Sequence, residues 1–301
     1  MTLGTTFADW LARLPRGVRE LVPPDQRADL RHWLGRYLAW EEGFDLAAPE
    51  PRAGETTGPP DFVGVGVAMA GARWWFRLLT DHPGVSHRND LPMDRHYLTH
   101  FSTRPFGHAE ILGYHAWFPR PPGTITGEWT PSYLGQPWIA PLLAEAAPRA
   151  KVLAMVRDPV ERLRMSLGRA RKQHRGEHVG WHISDAVNRG FYADPLRRML
   201  EHVPAERVLV LQYERCIADP AAQVEATYRF LGLDDSHRPA RHLLMLPRPD
   251  RRPGLELDPD TVERLVELYA PDVAELARLV PDLDLSLWPS FAGLGPGPGR
   301  K

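Results

Sequence analysis

Residues 61–75 read DFVGVGVAMAGARWW, an apolar run that leads into a glycine-containing turn and then into helix-forming residues. A buried strand, Gly66 and Gly71 five positions apart, and a following helix are the frame of a loop that binds phosphate through backbone N–H groups. The same frame also arises at a strand-to-helix turn where both glycines only permit tight packing. Ala72 and Arg73 stand where a nucleotide-hydrolysing loop has Lys and Ser/Thr, which disfavours a magnesium-dependent nucleotide hydrolase.

The segments after residue 60 alternate between short apolar runs and longer amphipathic stretches, which is the pattern of a parallel sheet flanked by helices. We expect an α/β fold with four or five parallel strands. The predicted organisation is a helical N-terminal extension over 1–45, a Pro- and Gly-rich linker over 46–60, a main domain over 61–290 that ends in a helical cap, and a disordered tail over 291–301. Strands are predicted at FVGVGV, TITGEW, KVLAMV and RVLVLQY, and helices from about Arg73, near 136–146 and from Pro159.

The composition of the 301 residues excludes several classes of protein. The net charge is −1, so no overall field points to nucleic acid or to a membrane surface as partner. Cys216 is the one cysteine, which excludes an intrachain disulfide and a Cys-based zinc site and indicates a reducing compartment. No stretch reaches the roughly 18 apolar residues of a membrane span, and no signal peptide is recognisable. We therefore expect a cytoplasmic protein, and the Arg-, Pro- and Gly-rich composition is typical of a GC-rich bacterial genome.

A second candidate site lies at Arg157, directly after the apolar run KVLAMV. Pro159 is suited to open a helix, so Arg157 is predicted at the carboxyl end of a strand, where open α/β sheets bind ligands. The fork of donors on a guanidinium suits a phosphate group. The alternative is an ordinary ion pair of Arg157 with Asp158 or Glu161.

Together the two segments resemble the sulfotransferases that depend on 3′-phosphoadenosine 5′-phosphosulfate (PAPS), and in particular bacterial members of the carbohydrate type. The resemblance spans roughly residues 60–290 and rests on five motifs in the order that the family has them. These are FVGVGV…GARWWFRLLTDHPGV at the 5′-phosphosulfate loop, GEWTPSYL at 127–134, VRDPVERLRMSL at the 3′-phosphate site, NRGFYADPLRRMLEHVPAERVLVLQYERCIADP at 188–220 and TYRFLGL at 227–233.

The resemblance implies a P-loop-like sulfotransferase fold, PAPS or its product adenosine 3′,5′-bisphosphate as cofactor, and no metal. It places Asp94 at the position of the family's base, with His96 as a second candidate that also faces the acceptor, and Thr130 in an acceptor-lining segment. The positions that match the cofactor-binding motifs are Gly66, Met69, Ala70, Gly71, Ala72, Arg73, Trp74, Arg157, Met165, Ser166 and Tyr192.

The chain departs from the family pattern at its anion-binding positions. Met69 and Ala72 replace a basic residue and a Thr/Ser of the first loop, and Met165 replaces the Ser that grips the 3′-phosphate. Ser166 lies one helical step away, which turns its side chain by about 100°. Loss of one preorganised donor typically costs about 2.7–4 kcal/mol of transition-state stabilisation. Arg73 is the predicted compensating cation and catalytic residue, or it fills the space of the sulfonate.

Three functions are therefore open. The first is transfer of a sulfuryl group from PAPS to a hydroxyl or amine of a small molecule, in specialised metabolism and as a homodimer or heteromer. The second is a catalytically degenerate subunit that partners an intact sulfotransferase paralogue, and the third is an enzyme that reuses the pocket for other anionic chemistry. A stripe of His174, His178 and His182 is interpreted as solvated or acceptor-facing, and not as a metal site.

Overall fold

A computed structural model describes residues 48–173, 179–245 and 254–294. The predicted helical extension over 1–45 lies outside these residues, as do His174, His178, the side chain of His182 and the tail from residue 295. The described segments form a parallel sheet flanked by helices, which confirms the predicted fold class. No helix in these segments is long and apolar enough to cross a membrane.

The sheet has four parallel strands in the order β2–β1–β3–β4. Val63 of the first strand pairs with Glu128 on one side and with Val152 on the other, and Leu153 pairs with Leu209. The two central strands are buried almost throughout, as expected where helices cover both faces. The strands are β1 (Phe62–Gly66), β2 (Gly127–Trp129), β3 (Lys151–Val156) and β4 (Val208–Gln212).

The helices begin close to the predicted positions. Pro159, Pro220 and Pro259 each occupy the first position of a helix, where the missing N–H costs nothing. The α-helices of the described segments are α1 (Ala72–Thr80), α2 (His108–His115), α3 (Ile139–Ala146), α4 (Pro159–Gln173), α5 (Val179–Asn188), α6 (Ala193–His202), α7 (Tyr213–Ala218), α8 (Pro220–Leu231), α9 (Arg241–Leu244) and α10 (Pro259–Leu279).

The glycine in the middle of β1 is explained by its neighbour in the sheet. A Cβ atom on Gly64 would lie 2.1 Å from the Trp129 ring, so no larger residue fits there. Trp129 is fully buried, and its indole N–H donates to the Gly66 carbonyl at 3.1 Å. The aromatic ring therefore packs on the backbone of β1 and fixes how β2 sits against it.

The C-terminal part forms the predicted helical cap, in which α10 packs against α4 and α6. Helix α10 buries Leu265, Tyr269, Val273 and Leu276, which recur at helical spacing. Phe291 is also buried, so the packed chain continues past residue 290, where the tail was predicted to begin.

Candidate functional site

The turn between β1 and α1 has the strand–turn–helix backbone that the sequence predicts. Val67 donates its N–H to the Met155 carbonyl at 2.9 Å, which ties the start of the turn to β3. Met69 and Gly71 both adopt left-handed backbone angles, with φ of 71° and 102°. The first helical hydrogen bond is donated by the Trp74 N–H to the Gly71 carbonyl at 2.9 Å, so the N–H groups of Ala72 and Arg73 belong to the open end of the helix.

Both glycines of the turn are required by packing. A Cβ atom on Gly66 would lie 2.9 Å from Cβ of Leu134, and one on Gly71 would lie 2.8 Å from the ring of Tyr213. Packing is therefore sufficient to explain both glycines. The N–H groups at the start of α1 are nevertheless available to an anion, because backbone N–H groups need no side chain to bind one.

Trp74 contributes its side chain to the core and not to the turn. Its indole is buried, and the indole N–H donates to the Leu243 carbonyl at 3.0 Å. The neighbouring Trp75 is fully buried and donates to the hydroxyl of Thr227 at 3.2 Å. Both indoles therefore anchor α1 in the core, and the cofactor contact at Trp74 remains a prediction from the motif.

Arg73 is exposed on the first turn of α1. It forms no hydrogen bond or ion pair with any other residue of the described segments. Among the remaining side chains of the turn, Met69 is half-buried, whereas Ala70 and Ala72 are buried. The turn is thus lined by apolar side chains, and beside it lies the guanidinium of Arg73, which has no polar partner in the part of the chain that the structure describes.

Arg157 lies at the carboxyl end of β3, as predicted, and is 5% exposed. Its guanidinium stacks on the ring of Tyr213 at 4.5 Å from the ring centroid. Nη1 of Arg157 is buried without a hydrogen-bond partner in the described segments. A buried cationic donor in that state is costly unless a ligand supplies an acceptor, so this side chain fits the phosphate group of a nucleotide.

The carboxylates near Arg157 are occupied by other donors. Asp158 accepts the N–H groups of Val160 and Ser290, both at 2.9 Å. Glu214 accepts the Asp158 N–H at 3.0 Å and the Trp288 indole N–H at 2.8 Å. Burial raises the pKa of Glu214 to about 7 and also raises the pKa of Asp158. Glu161 pairs with Arg164 at 2.8 Å, so the alternative of an ion pair of Arg157 with Asp158 or Glu161 is not realised.

Two further predicted cofactor positions lie on α4, where Met165 is buried and Ser166 is half-buried. Tyr192 is buried beneath the same region, and its hydroxyl donates to the Arg157 carbonyl at 2.9 Å. Tyr192 therefore holds the backbone of Arg157 in place and forms no hydrogen bond with its guanidinium.

Asp94 and His96, the two predicted candidates for the base, lie side by side. Nε2 of His96 lies 3.4 Å from a carboxylate oxygen of Asp94, and both side chains are partly exposed. On the other side of the ring, Nδ1 of His96 lies 3.5 Å from the hydroxyl of Ser132. The sequence did not single out Ser132, although it belongs to the GEWTPSYL motif. The three side chains form a line from Asp94 to Ser132.

Thr130 does not offer its hydroxyl to a substrate. The residue is fully buried, and its hydroxyl donates to Glu128 and accepts from the backbone N–H groups of Arg95 and His96. A threonine hydroxyl has one donor and two acceptor positions, so all three are used. This corrects the predicted acceptor contact at Thr130.

A cleft of about 430 Å³ lies beside the start of the turn, and Arg73, Asp94, His96 and Arg157 are not among its lining residues. It is lined by the turn after β1, by residues 131–136 with Ser132, and by the α5–α6 region with Tyr192. Arg189 and Arg198 also line it, and Arg189 pairs with Asp185 at 2.8 Å. Sequence reasoning missed both arginines, since their only signal was membership of the motif at 188–220. The cleft thus brings the turn and Ser132 together.

Residues 127–237, which include Arg157 and three of the four strands, match the model of a sulfotransferase family. Over this segment the chain is thus similar to the sulfotransferases. Its fold is similar to the crystal structure of a sulfotransferase from Alicyclobacillus acidocaldarius, with a TM-score of 0.61 and 24% identity over 76% of this chain and 98% of that one. The fold predicted from the motifs is therefore confirmed.

Curated sulfotransferases are also similar to this chain. It is 28% identical to mouse heparan sulfate glucosamine 3-O-sulfotransferase 3B1 over 191 aligned positions, which cover 58% of this chain and 46% of that protein. It is 26% identical to human heparan sulfate glucosamine 3-O-sulfotransferase 3A1 over 321 aligned positions, which is 87% of this chain and 74% of that protein. The matched part thus spans about half the length of the mouse relative.

Proposed function

We propose that this protein transfers a sulfuryl group from PAPS to a hydroxyl group of a small molecule bound in the cleft. The observation that carries the proposal is the buried guanidinium of Arg157, whose Nη1 has no hydrogen-bond partner in the described segments. It lies at the carboxyl end of a central strand, where open α/β sheets bind nucleotides.

Two groups of donors support a nucleotide with phosphate at both ends. Arg157 would hold the 3′-phosphate, because its neighbouring carboxylates are already engaged by Ser290, Trp288 and backbone N–H groups. The amides at the open end of α1 would hold the 5′-phosphosulfate, and the helix dipole favours negative charge there. Arg73 would supply the cation that the turn otherwise lacks.

When bound, PAPS supplies a sulfuryl group that is activated by its bond to the 5′-phosphate. The acceptor oxygen forms a new bond to sulfur, and the bond between sulfur and the phosphate oxygen breaks with its electron pair passing to the phosphate. The proton of the acceptor hydroxyl passes to the Asp94–His96 pair. Arg73 stabilises the charge that develops on the leaving phosphate oxygen.

The cleft supports a small-molecule acceptor. Its volume of about 430 Å³ is within the range of pockets that bind metabolites. The names of the relatives specify glucosamine of heparan sulfate as acceptor, which favours a sugar-like hydroxyl for this chain as well. Arg189 and Arg198 on the wall of the cleft would bind polar or anionic substituents of such an acceptor.

A second candidate is a subunit that binds the nucleotide and does not transfer sulfate. It is favoured by the apolar side chains of the turn at Met69, Ala70 and Ala72, and by the packing requirement that explains Gly66 and Gly71. Such a protein would retain the site at Arg157 and require an active paralogue for turnover.

Nucleotide binding tests the proposal directly. Thermal unfolding is measured with and without adenosine 3′,5′-bisphosphate for the wild type, Arg157→Met and Arg169→Met, the last being an exposed residue on α4. At 100 times the dissociation constant, binding adds about 2.7 kcal/mol to the free energy of unfolding. We expect this gain in the wild type and in Arg169→Met, and its loss in Arg157→Met.

The outcome also separates the two candidates. Transfer of radiolabelled sulfate from PAPS to a panel of sugar and phenol acceptors supports the enzyme, whereas a nucleotide-dependent shift without turnover of any acceptor supports the non-catalytic subunit. A wild-type protein that gains no stability from the nucleotide would rule out both.

A further inference from the structure

A buried carboxylate stands directly behind the predicted base segment. Glu128, in the middle of β2, is fully buried. One of its oxygens accepts the hydroxyl of Tyr114 at 2.6 Å, and the other accepts the hydroxyl of Thr130 at 2.5 Å and the backbone N–H of Arg95 at 3.2 Å. Burial raises the pKa of Glu128, whereas these hydrogen bonds and the charge of Arg95 lower it. The carboxylate is thus surrounded by donors on both oxygens.

The carboxylate of Glu128 orients the Thr130 hydroxyl, whose hydrogen points toward it. Since the hydroxyl donates to Glu128, its lone pairs are turned toward the base segment. They accept the backbone N–H of Arg95 at 3.1 Å and that of His96 at 3.3 Å. Glu128 therefore acts through Thr130 on the backbone of His96.

His96 needs such support because its backbone is in an unfavourable conformation. Its φ angle of 54° lies in the left-handed region, which costs a residue with a side chain roughly 1–2 kcal/mol. The hydrogen bond to Thr130 holds this conformation, and the conformation sets where the imidazole lies between Asp94 and Ser132. Without it, the segment can relax and carry the ring away from its neighbours.

We propose that Glu128 and Thr130 are positioning residues that hold the His96 imidazole between Asp94 and Ser132 at the edge of the cleft. As a statement about catalysis, this rests on the transfer reaction proposed above. As a statement about geometry, it depends only on the hydrogen bonds from Glu128 through Thr130 to the backbone of His96.

Three variants test the proposal. Thr130→Val keeps the size and removes the hydroxyl, whereas Thr130→Ser keeps the hydroxyl and removes the methyl group. Thr126→Val is a matched control, because Thr126 is a buried threonine just before β2 that lies outside this network. We expect kcat for sulfuryl transfer to fall about 10- to 100-fold in Thr130→Val, the scale of a displacement of roughly 1 Å at a reacting group. We expect Thr130→Ser and Thr126→Val to stay within about threefold of the wild type.

A second readout does not depend on activity. In protein with labelled histidine, the ring resonances of His96, assigned with His96→Gln, are expected to shift in Thr130→Val and to keep their positions in Thr130→Ser and Thr126→Val. The thermal shift with adenosine 3′,5′-bisphosphate should remain in all of them, which separates loss of positioning from loss of nucleotide binding.

Unchanged His96 resonances in folded Thr130→Val would overturn the inference, whether or not the protein transfers sulfate. Wild-type kcat in that variant would do the same. A failure of the transfer proposal alone would appear differently, as absent turnover in the wild type with the shift of the His96 resonances still present in Thr130→Val.

Discussion

Arg73 is the single residue on which the proposed chemistry of the turn depends. It is exposed, uncommitted among the described residues, and adjacent to side chains that carry no charge. The sequence pointed to Arg73 because Met69 and Ala72 replace the basic residue and the Thr/Ser that the family has in this loop. The structure adds that no carboxylate of the described segments holds it elsewhere.

Substitution of Arg73 should therefore affect transfer much more than substitution of Arg77. Both are exposed on α1, one turn apart, and only Arg73 lies at the open end of the helix. We expect Arg73→Ala to lower kcat/KM by about 10²–10³, the typical effect of removing a preorganised donor. Steady-state kinetics with PAPS checks this, and an unchanged rate in Arg73→Ala would show that the turn works without a cation. Arg77→Ala should behave like the wild type.

At the level of elements, the turn from β1 into α1 is built by packing. Gly71 combines a left-handed backbone with a close approach to the ring of Tyr213, and Met155 of β3 lies beneath it. A residue with a side chain at this position is disfavoured twice, once by its backbone angle and once by the ring.

The two costs can be separated by comparing Gly71→Ala with Gly123→Ala. Gly123 also has a left-handed φ, of 82°, but a Cβ atom there would meet nothing within 4 Å. We expect Gly123→Ala to lower the free energy of unfolding by about 1–2 kcal/mol. Gly71→Ala should lose a further 1–3 kcal/mol, roughly the cost of overpacking. Urea unfolding measures both, and equal losses would mean that Tyr213 moves aside at little cost.

The strands and helices were largely predictable, because the signals for them lie in short stretches of sequence. Runs such as KVLAMV are apolar enough to be recognised as buried strands, and Pro159 marks a helix start without reference to the rest of the chain. The strand predicted at TITGEW is shorter than its apolar pattern, since only Gly127–Trp129 pairs with β1.

The site was less predictable, because its contacts join segments that are distant in sequence. Thr130 was assigned to the acceptor, since a motif cannot show that a hydroxyl is used up by Glu128, Arg95 and His96. The role of Ser132 likewise depends on a loop 36 residues away. The roles of Met165 and Ser166 remain predictions from the motif.

On the scale of the whole molecule, Glu214 connects regions that are far apart in the chain. It joins α7 to the end of β3 through the Asp158 N–H and to the C-terminal segment through Trp288. Burial raises its pKa to about 7, so the folded protein holds a proton here that the unfolded chain releases near pH 4.5. The native state therefore binds more protons between these values, and this contribution to stability is lost as the pH rises through 7.

Glu214→Gln should flatten the dependence of unfolding free energy on pH between about 5 and 7, because glutamine keeps the shape of the neutral acid and cannot ionise. Urea unfolding across this range measures the effect, with Glu145→Gln on the exposed face of α3 as the control that keeps the wild-type slope. A Glu214→Gln protein with an unchanged slope would assign the pH dependence to other groups.

Tyr213 touches both halves of the proposed nucleotide site. Its ring carries the guanidinium of Arg157 at 4.5 Å, and the same ring limits how closely the backbone at Gly71 can approach. One rigid aromatic side chain thus sets the distance between the two places where anions would be held. Tyr213 thus acts as a rigid spacer between the two proposed anion sites, and it limits the length of a doubly charged molecule that could span them.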